Sequence, residues 1–232
     1  SSWNFEKFVY QFKIPESKSV VIKNAIEKIN FEEKPKDKIN LIYHTTPWRG
    51  LKFLLEVFKN LNRPDVELNI CSSIKIYGKK FDDAFSKKYE KIFEECKNTE
   101  NANYLGFVEN SNIIKLLKKT HIFSFPSVWP ETSCISAIES MAAGCEVVST
   151  NLGAIYETCA PFAKLIGFNR NFDEMQNKFK GALLSSIDNF WSSENQKKMK
   201  LQRETINLLY SWERRSIEWK NFFDEARDFT KR

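Results

Sequence analysis

The chain of 232 residues is predicted to be an α/β protein: a Rossmann-like parallel sheet with helices on both faces and further helices at its C-terminal end. Three observations predict it. Short apolar runs alternate with amphipathic stretches of helical length, about 10 to 15 residues, which is the pattern of βαβ units. No repeat, low-complexity tract or Gly/Ser linker interrupts the alternation. Beyond residue 170 the pattern becomes purely helical.

The elements follow in order. Ser1 to Phe12 reads as a helix, ended by Pro15, and SVVIKN (19–24) as a first strand. FEEKPKDK, charged and carrying Pro35, is a connector. Then come strand INLIYHT, helix Leu51 to Leu61, strand ELNICSS, helix Asp82 to Cys96, strand NYLGFV, helix Asn112 to Lys119, strand IFSF, helix Ser133 to Ala143 and strand EVVST. After Leu165-Ile166-Gly167 two helical stretches remain, Asp173 to Phe190 and Glu194 to Phe229, the second interrupted near Tyr210-Ser211-Trp212. The aromatic stripe of the last stretch (Trp212, Trp219, Phe222, Phe223, Phe229) is expected to pack back onto the sheet. The expectation is one domain over 1–232, with an α/β core to residue 170 and helices 171–232 packed on it.

Composition narrows the class. A hydrophobic share of 42% and a charged share of 28% are those of a globular protein. No run reaches the ~18 to 20 apolar residues of a membrane span, and no signal-peptide pattern opens the chain. The start at Ser1 without Met reads as an excised domain. The net charge of +6 is mild, and Lys is interspersed with Glu and Asp along helices. That pattern lacks the concentrated basic stripe that nucleic-acid binding needs. Five cysteines without a C-x-x-C pair imply neither a zinc site nor a disulfide framework, and fit a reducing, cytoplasmic setting. Two histidines with no carboxylate at ligand spacing offer no metal site or nucleophilic triad. His121 reads as structural. His44, at a strand end, is a candidate for a ligand site. Neither a G-x-G-x-x-G nor a Walker phosphate loop is present, which argues against NAD and ATP chemistry.

The most informative stretch is Thr120 to Thr150, THIFSFPSVWPETSCISAIESMAAGCEVVST. It runs strand, loop, helix, strand, the unit from which open parallel sheets build ligand sites at strand carboxyl ends. Glu131 and Glu139 are eight positions apart, roughly 12 Å of helical rise, so they cannot share a proton but can reach two parts of one elongated ligand. Thr132, Ser133 and Cys134 are small, allowing backbone N–H groups to approach an anion or sugar hydroxyls. From spacing alone a plainer role stands beside this one: Glu131, Thr132 or Ser133 capping the helix, and Glu139 solvated on its surface.

The wider pattern P-S-x-x-P-E-x7-E-S-M-A-A-G-x-x-V-V-S-T resembles the signature of retaining glycosyltransferases of family 4, which have the two-domain GT-B architecture. It rests on Pro126, Ser127, Glu131, Glu139, Met141, Ala142, Gly144, Val147 and Val148. Glu157, after NLGAIY, fits the acidic residue that follows the next strand in that family. Upstream, IYHTTPWRGLKFLLEVFKNL is similar to the family's strand–loop–helix with a basic residue before Gly, here Arg49-Gly50. NYLGFVENSNIIKLLKKTHIFSFPS resembles the part that delivers the base-contacting loop. VVIKNAIE resembles the family's opening strand, with Asn24 kept and Ala25 in place of glycine.

The resemblance implies the C-terminal, donor-binding half of such an enzyme. In it Glu131 contacts donor-sugar hydroxyls, Glu139 holds the ribose hydroxyls, and Arg49 pairs with the diphosphate. Phe107 and Val108 hold the base through their backbone, Thr132 to Cys134 turn N–H groups to sugar or phosphate, and His44, Thr46 and Asn24 complete the donor site. The chemistry agrees, since a guanidinium forks onto phosphate oxygens and a carboxylate accepts from a diol. Two departures stand out: Thr45-Thr46 replaces the family's Gly-Arg pair, removing one cation, and E-T-S-C replaces E-x-F-G. The implied reaction is metal-independent, retaining transfer of a hexose or deoxyhexose from a UDP- or GDP-linked donor to a glycan acceptor, without a cofactor. The expected mechanism is front-face displacement assisted by the leaving phosphate. The acceptor site is expected from a further domain. A non-catalytic nucleotide-sugar-binding module and a GT-B sugar-nucleotide epimerase remain open alternatives.

Overall fold

The structure, a computed structural model, describes residues 1–230. Its centre is a six-stranded, all-parallel sheet in the order β3-β2-β1-β4-β5-β6. The strands are β1 (Ile39–Tyr43), β2 (Val66–Ile70), β3 (Ala102–Tyr104), β4 (Ile122–Phe125), β5 (Glu146–Asn151) and β6 (Lys164–Gly167). Every residue of β4 is buried, as are the first five of β5, because helices cover both faces and leave no strand face to water.

The helices are α1 (Ser2–Phe12), α2 (Leu51–Lys59), α3 (Lys79–Lys97), α4 (Asn110–Lys119), α5 (Ile135–Ala142), α6 (Ile155–Cys159), α7 (Phe172–Asn189), α8 (Ser193–Leu209) and α9 (Trp212–Thr230). α2 packs on α7, and α5 packs on α4, α6 and α8. α7 buries Met175, Phe179, Leu183 and Ile187, and Phe179 meets Phe53 of α2 edge-on with ring centroids 5.9 Å apart. Each such side chain contributes about 1.5–3 kcal/mol through the apolar surface it removes from water.

Because the order turns at β1, the crossover from β3 must pass to β4 on the opposite side of β1. The loops after β1 and β4 therefore splay apart, leaving a crevice at the carboxyl ends of the strands. α5 forms one wall of it and is tightly moored at its far end. Gln202 of α8 donates to the carbonyls of Met141 (3.0 Å) and Cys145 (2.9 Å), and Asn207 donates to that of Ala142 (3.1 Å). The buried Lys34 ammonium donates to the carbonyls of Leu117 (3.2 Å) and Ala143 (3.3 Å), joining the C-terminal ends of α4 and α5. These bonds satisfy carbonyls that a helix end leaves orphaned.

Three expectations are corrected. The segment 19–24 is not a strand: the first ordered pairing of this region is a single bridge, Ile26 to Ser211, with Ile26 N–H on the Tyr210 carbonyl at 2.8 Å. An apolar β-branched run pairs only where a sheet edge is offered, and β3 and β6 form the edges elsewhere. The helix expected from Ser133 begins at Ile135, because Cys134 sits in the left-handed region at φ 69° and cannot continue a helix. The C-terminal aromatic stripe is not core. Trp212, Trp219 and Phe223 are exposed, and Trp219 stacks on Phe223 with centroids 5.4 Å apart. α7 packs on β4, β5 and β6 and α8 on α5, while Arg215 is the one buried residue of α9 among those described. The Phe229 side chain lies outside the described residues.

Candidate active-site cleft

A cleft of about 400 Å³ opens at the carboxyl ends of β1, β2 and β3 and against α5. Its lining includes His44, Thr46 and Arg49 after β1, Phe107 and Val108 after β3, and Glu139 on α5. Six positions named from sequence are thus brought together. Asn24, Thr132, Ser133 and Cys134 are not among the lining residues. Asn24 lies at the junction with α9, where its carbonyl accepts from Arg215 Nε at 3.3 Å. Ser133 turns its carbonyl to the Thr158 hydroxyl at 2.5 Å, and Cys134 is buried before α5. The first turn of α5 borders the cleft instead, through Ile135 and Ser136.

Arg49 and Glu131 meet at one end. β1 stops at Tyr43, whose hydroxyl donates to the Thr46 carbonyl at 2.8 Å, and Pro47 to Arg49 form one 3-10 turn. Gly50 follows at φ +126°, and a Cβ there would lie 2.2 Å from the Pro126 carbonyl oxygen. Only glycine lets this turn press against the loop after β4. Val128 N–H then donates to the Arg49 carbonyl at 3.3 Å. Across that contact Arg49 Nη1 donates to both Glu131 oxygens, at 2.9 and 2.7 Å. Burial pushes the Glu131 carboxyl above the ordinary range, and the Arg49 charge opposes the rise.

Glu131 is fixed through its backbone as well. It bridges to Gly153, and its carbonyl accepts from Ala154 N–H at 2.7 Å. Gly153 holds φ +70°, with room for nothing larger, since a Cβ would fall 2.4 Å from the Glu131 carbonyl oxygen. Glu157, one turn on, accepts from Ser2 and Trp3 N–H at 3.0 and 3.1 Å and so caps α1.

Glu139 is held differently. Its Oε1 accepts from Asn110 Nδ2 at 2.9 Å, and Oε2 has no partner among the described residues. Burial raises its carboxyl, and the Asn110 amide only partly offsets that. On the floor His44 Nε2 lies 2.9 Å from Ser140 Oγ. That hydroxyl spends its own proton on the Ser136 carbonyl at 2.7 Å, so Nε2 must carry hydrogen and Nδ1 is left as an acceptor. Burial brings His44 down to about 3. His121 is structural: Nδ1 accepts from Asn40 N–H and Nε2 donates to the Pro35 carbonyl, both at 2.9 Å.

Two polar atoms behind the cleft surface at Arg49 lack partners. Thr46 Oγ1 and Arg49 Nε are buried without a hydrogen-bond partner, a costly condition. No cluster of three His, Cys, Asp or Glu able to hold a metal occurs among the described residues. No helix among them is long and apolar enough to cross a membrane.

Sequence reasoning passed over Ser73, Tyr77, Asn110 and Ser136, which also line the cleft. Ser73, Tyr77 and Asn110 follow the carboxyl ends of predicted strands, and that position is the signal that could have nominated them.

Comparison with known proteins follows this geometry. The family model described as glycosyl transferases group 1 matches residues 22–201. An uncharacterized glycosyltransferase of Methanocaldococcus jannaschii is 28% identical over 166 residues, 63% of this chain and 40% of that protein. Among solved structures, a glycosyltransferase from Rickettsia africae superposes with a TM-score of 0.76 at 18% identity, covering 97% of this chain and 62% of that one. Sucrose-phosphate synthase from Thermosynechococcus elongatus gives 0.76 at 15% identity, covering 98% and 57%. At these identities the two structures speak for the fold, one half of a GT-B protein. The chain spans less than two thirds of the length of each of the three. With most of its length inside the family match, the chain belongs to the glycosyl transferases group 1 family.

Proposed function

We propose that the chain is the donor-binding part of a retaining, metal-independent glycosyltransferase. It would transfer a hexose or deoxyhexose from a nucleoside-diphosphate sugar, UDP- or GDP-linked, to a glycan acceptor held by a further domain. The observation that carries this reading is the polarity of the cleft: the Arg49 cation at one end, and a carboxylate with a free oxygen on the α5 wall. A nucleoside diphosphate has the complementary layout, with diol and diphosphate in sequence. Glu139 Oε2 accepts from the ribose hydroxyls, and the loop at Phe107-Val108 borders the base. Arg49 meets the diphosphate.

In the reaction Arg49 neutralises charge that grows on the departing diphosphate. Such a preset donor is worth most where water is excluded. The neutral His44 offers Nδ1 as an acceptor for a hydroxyl of the ligand. All five cysteines are free and buried, in keeping with the reducing cytoplasm in which we place the protein.

Calorimetric titration with UDP, GDP, dTDP and ADP, each repeated with a matching sugar conjugate, tests the reading. One nucleotide binding more tightly than the rest supports a donor site and names its base. No binding by any of them would remove it. Binding without slow donor hydrolysis would favour a module that holds nucleotide sugars and does not turn them over.

A further inference from the structure

Among the described residues three charged ones line the cleft: Arg49, Glu139 and Glu109. The proposed function gives Arg49 to the diphosphate and Glu139 to the ribose, and leaves Glu109 without a task. It follows the Phe107-Val108 loop directly and stands at the entry to α4. Its backbone is anchored there, the carbonyl accepting from Asn112 and Ile113 N–H at 2.9 and 3.0 Å. Its side chain does not cap the helix, and its carboxylate has no hydrogen-bond or ion-pair partner among the described residues. The next residue, Asn110, donates to Glu139 Oε1 at 2.9 Å, so Glu109 lies one residue beyond the ribose carboxylate. β3, which leads to Glu109, is separated by β2 from β1, which leads to Arg49. A nucleoside diphosphate laid on Arg49 and Glu139 therefore brings its base to Glu109.

A carboxylate only accepts hydrogen bonds, and it does so through two oxygens. The bases answer it differently. Guanine presents N1–H and its 2-amino group side by side, two donors for two oxygens. Uracil and thymine present one N–H between two carbonyl oxygens, which a carboxylate repels. Adenine sets its amino donor beside the lone pair of N1. We propose that Glu109 reads the base of the donor and selects guanine, so that the sugar nucleotide is GDP-linked. This deepens the donor-site reading of the cleft and rests on it. Hydrogen bonds to an ionised acceptor are stronger than neutral ones, and a site built around a ligand's donors rejects analogues that lack them.

The test is calorimetry on the wild-type chain, Glu109→Ala and Glu109→Gln, with GDP, inosine diphosphate, UDP and ADP as titrants. Glu109 is exposed, so neither substitution disturbs the core, and melting curves on each protein check this. Inosine diphosphate is GDP without the 2-amino group. The wild type is expected to bind GDP about tenfold more tightly than inosine diphosphate, with UDP and ADP weaker still. Glu109→Ala should lose about tenfold or more for GDP, so that GDP and inosine diphosphate bind alike, and should not weaken UDP. Glu109→Gln offers one acceptor and one donor, which suit the N3–H and a neighbouring carbonyl of uracil. Its preference should move from GDP toward UDP. A wild type that prefers UDP or ADP, or that binds GDP and inosine diphosphate alike, would overturn the proposal and leave the donor site standing. So would a guanine preference that survives in Glu109→Ala, or an equal loss for all four nucleotides in that variant. A wild type that binds none of the four removes the donor site, and the proposal falls with it.

Discussion

Glu131 and Glu139 are the same residue type, eight positions apart, and burial raises both carboxyls. Their partners set them apart. Glu131 sits behind the cleft with both oxygens on a guanidinium and its backbone bridged to Gly153. Glu139 stands on α5 in the cleft wall with one oxygen on an amide and the other free. Equal chemistry thus meets two settings: a buried carboxylate with both oxygens on a cation, and one in the cleft wall with an oxygen free to receive a ligand.

The strongest way to break this comparison is to remove the cation. Arg49→Ala should weaken nucleoside-diphosphate binding by about 3 kcal/mol, the upper range for hydrogen bonds to charged groups. Wild-type affinity by calorimetry would detach Arg49 from the ligand. Glu139→Ala comes next, expected at about 2 kcal/mol on the same nucleotide. A loss seen for the ribonucleotide and absent for its 2′,3′-dideoxy analogue would sharpen the assignment to the ribose. A smaller effect, about 1 kcal/mol, is expected for Asn110→Ala, which frees Glu139 Oε1 and loosens its orientation. Binding unchanged within error would show that α5 alone aims the carboxylate.

The smallest effect concerns stability against pH. Because burial raises the Glu139 carboxyl in the folded state, the folded protein retains a proton there over a window in which the unfolded chain has lost it. Stability therefore falls as pH rises from the ordinary glutamate value through the raised one. Glu139→Gln removes that loss. Its melting temperature should exceed that of the wild type at pH 7 and converge with it near pH 4, and an identical difference at both would refute the cause given.

Much of the fold was legible in the sequence because parallel strands buried on both faces are written as compact apolar runs. INLIY, IFSF and EVVST could hardly be anything else. The segment at 19–24 misled because β propensity is local, whereas pairing needs a neighbour. The aromatic periodicity of 212–229 foretold a helix correctly, but periodicity carries no information on what covers an apolar face. The start of α5 was misread because a cysteine at positive φ is rare, and no residue type announces it. In the site, Arg49, His44, Thr46, Phe107, Val108 and Glu139 gather as strand-end logic requires. Asn24 and Thr132 to Cys134 lie elsewhere. The Arg49–Glu131 pair was invisible, joining residues 82 positions apart through two glycines whose role shows only in three dimensions.

Both imidazoles are taken out of service, His44 brought down to about 3 and His121 to about 4 by burial. Proteins usually owe their near-neutral titration to histidine, and this one has silenced both of its own. A change of nucleotide binding around neutrality then points first to the ligand's own phosphate, whose last ionisation falls near pH 6. Repeating that profile with a sugar nucleotide, whose diphosphate has no such late ionisation, separates the ligand's part from the protein's without altering a residue. The titrant becomes the pH probe.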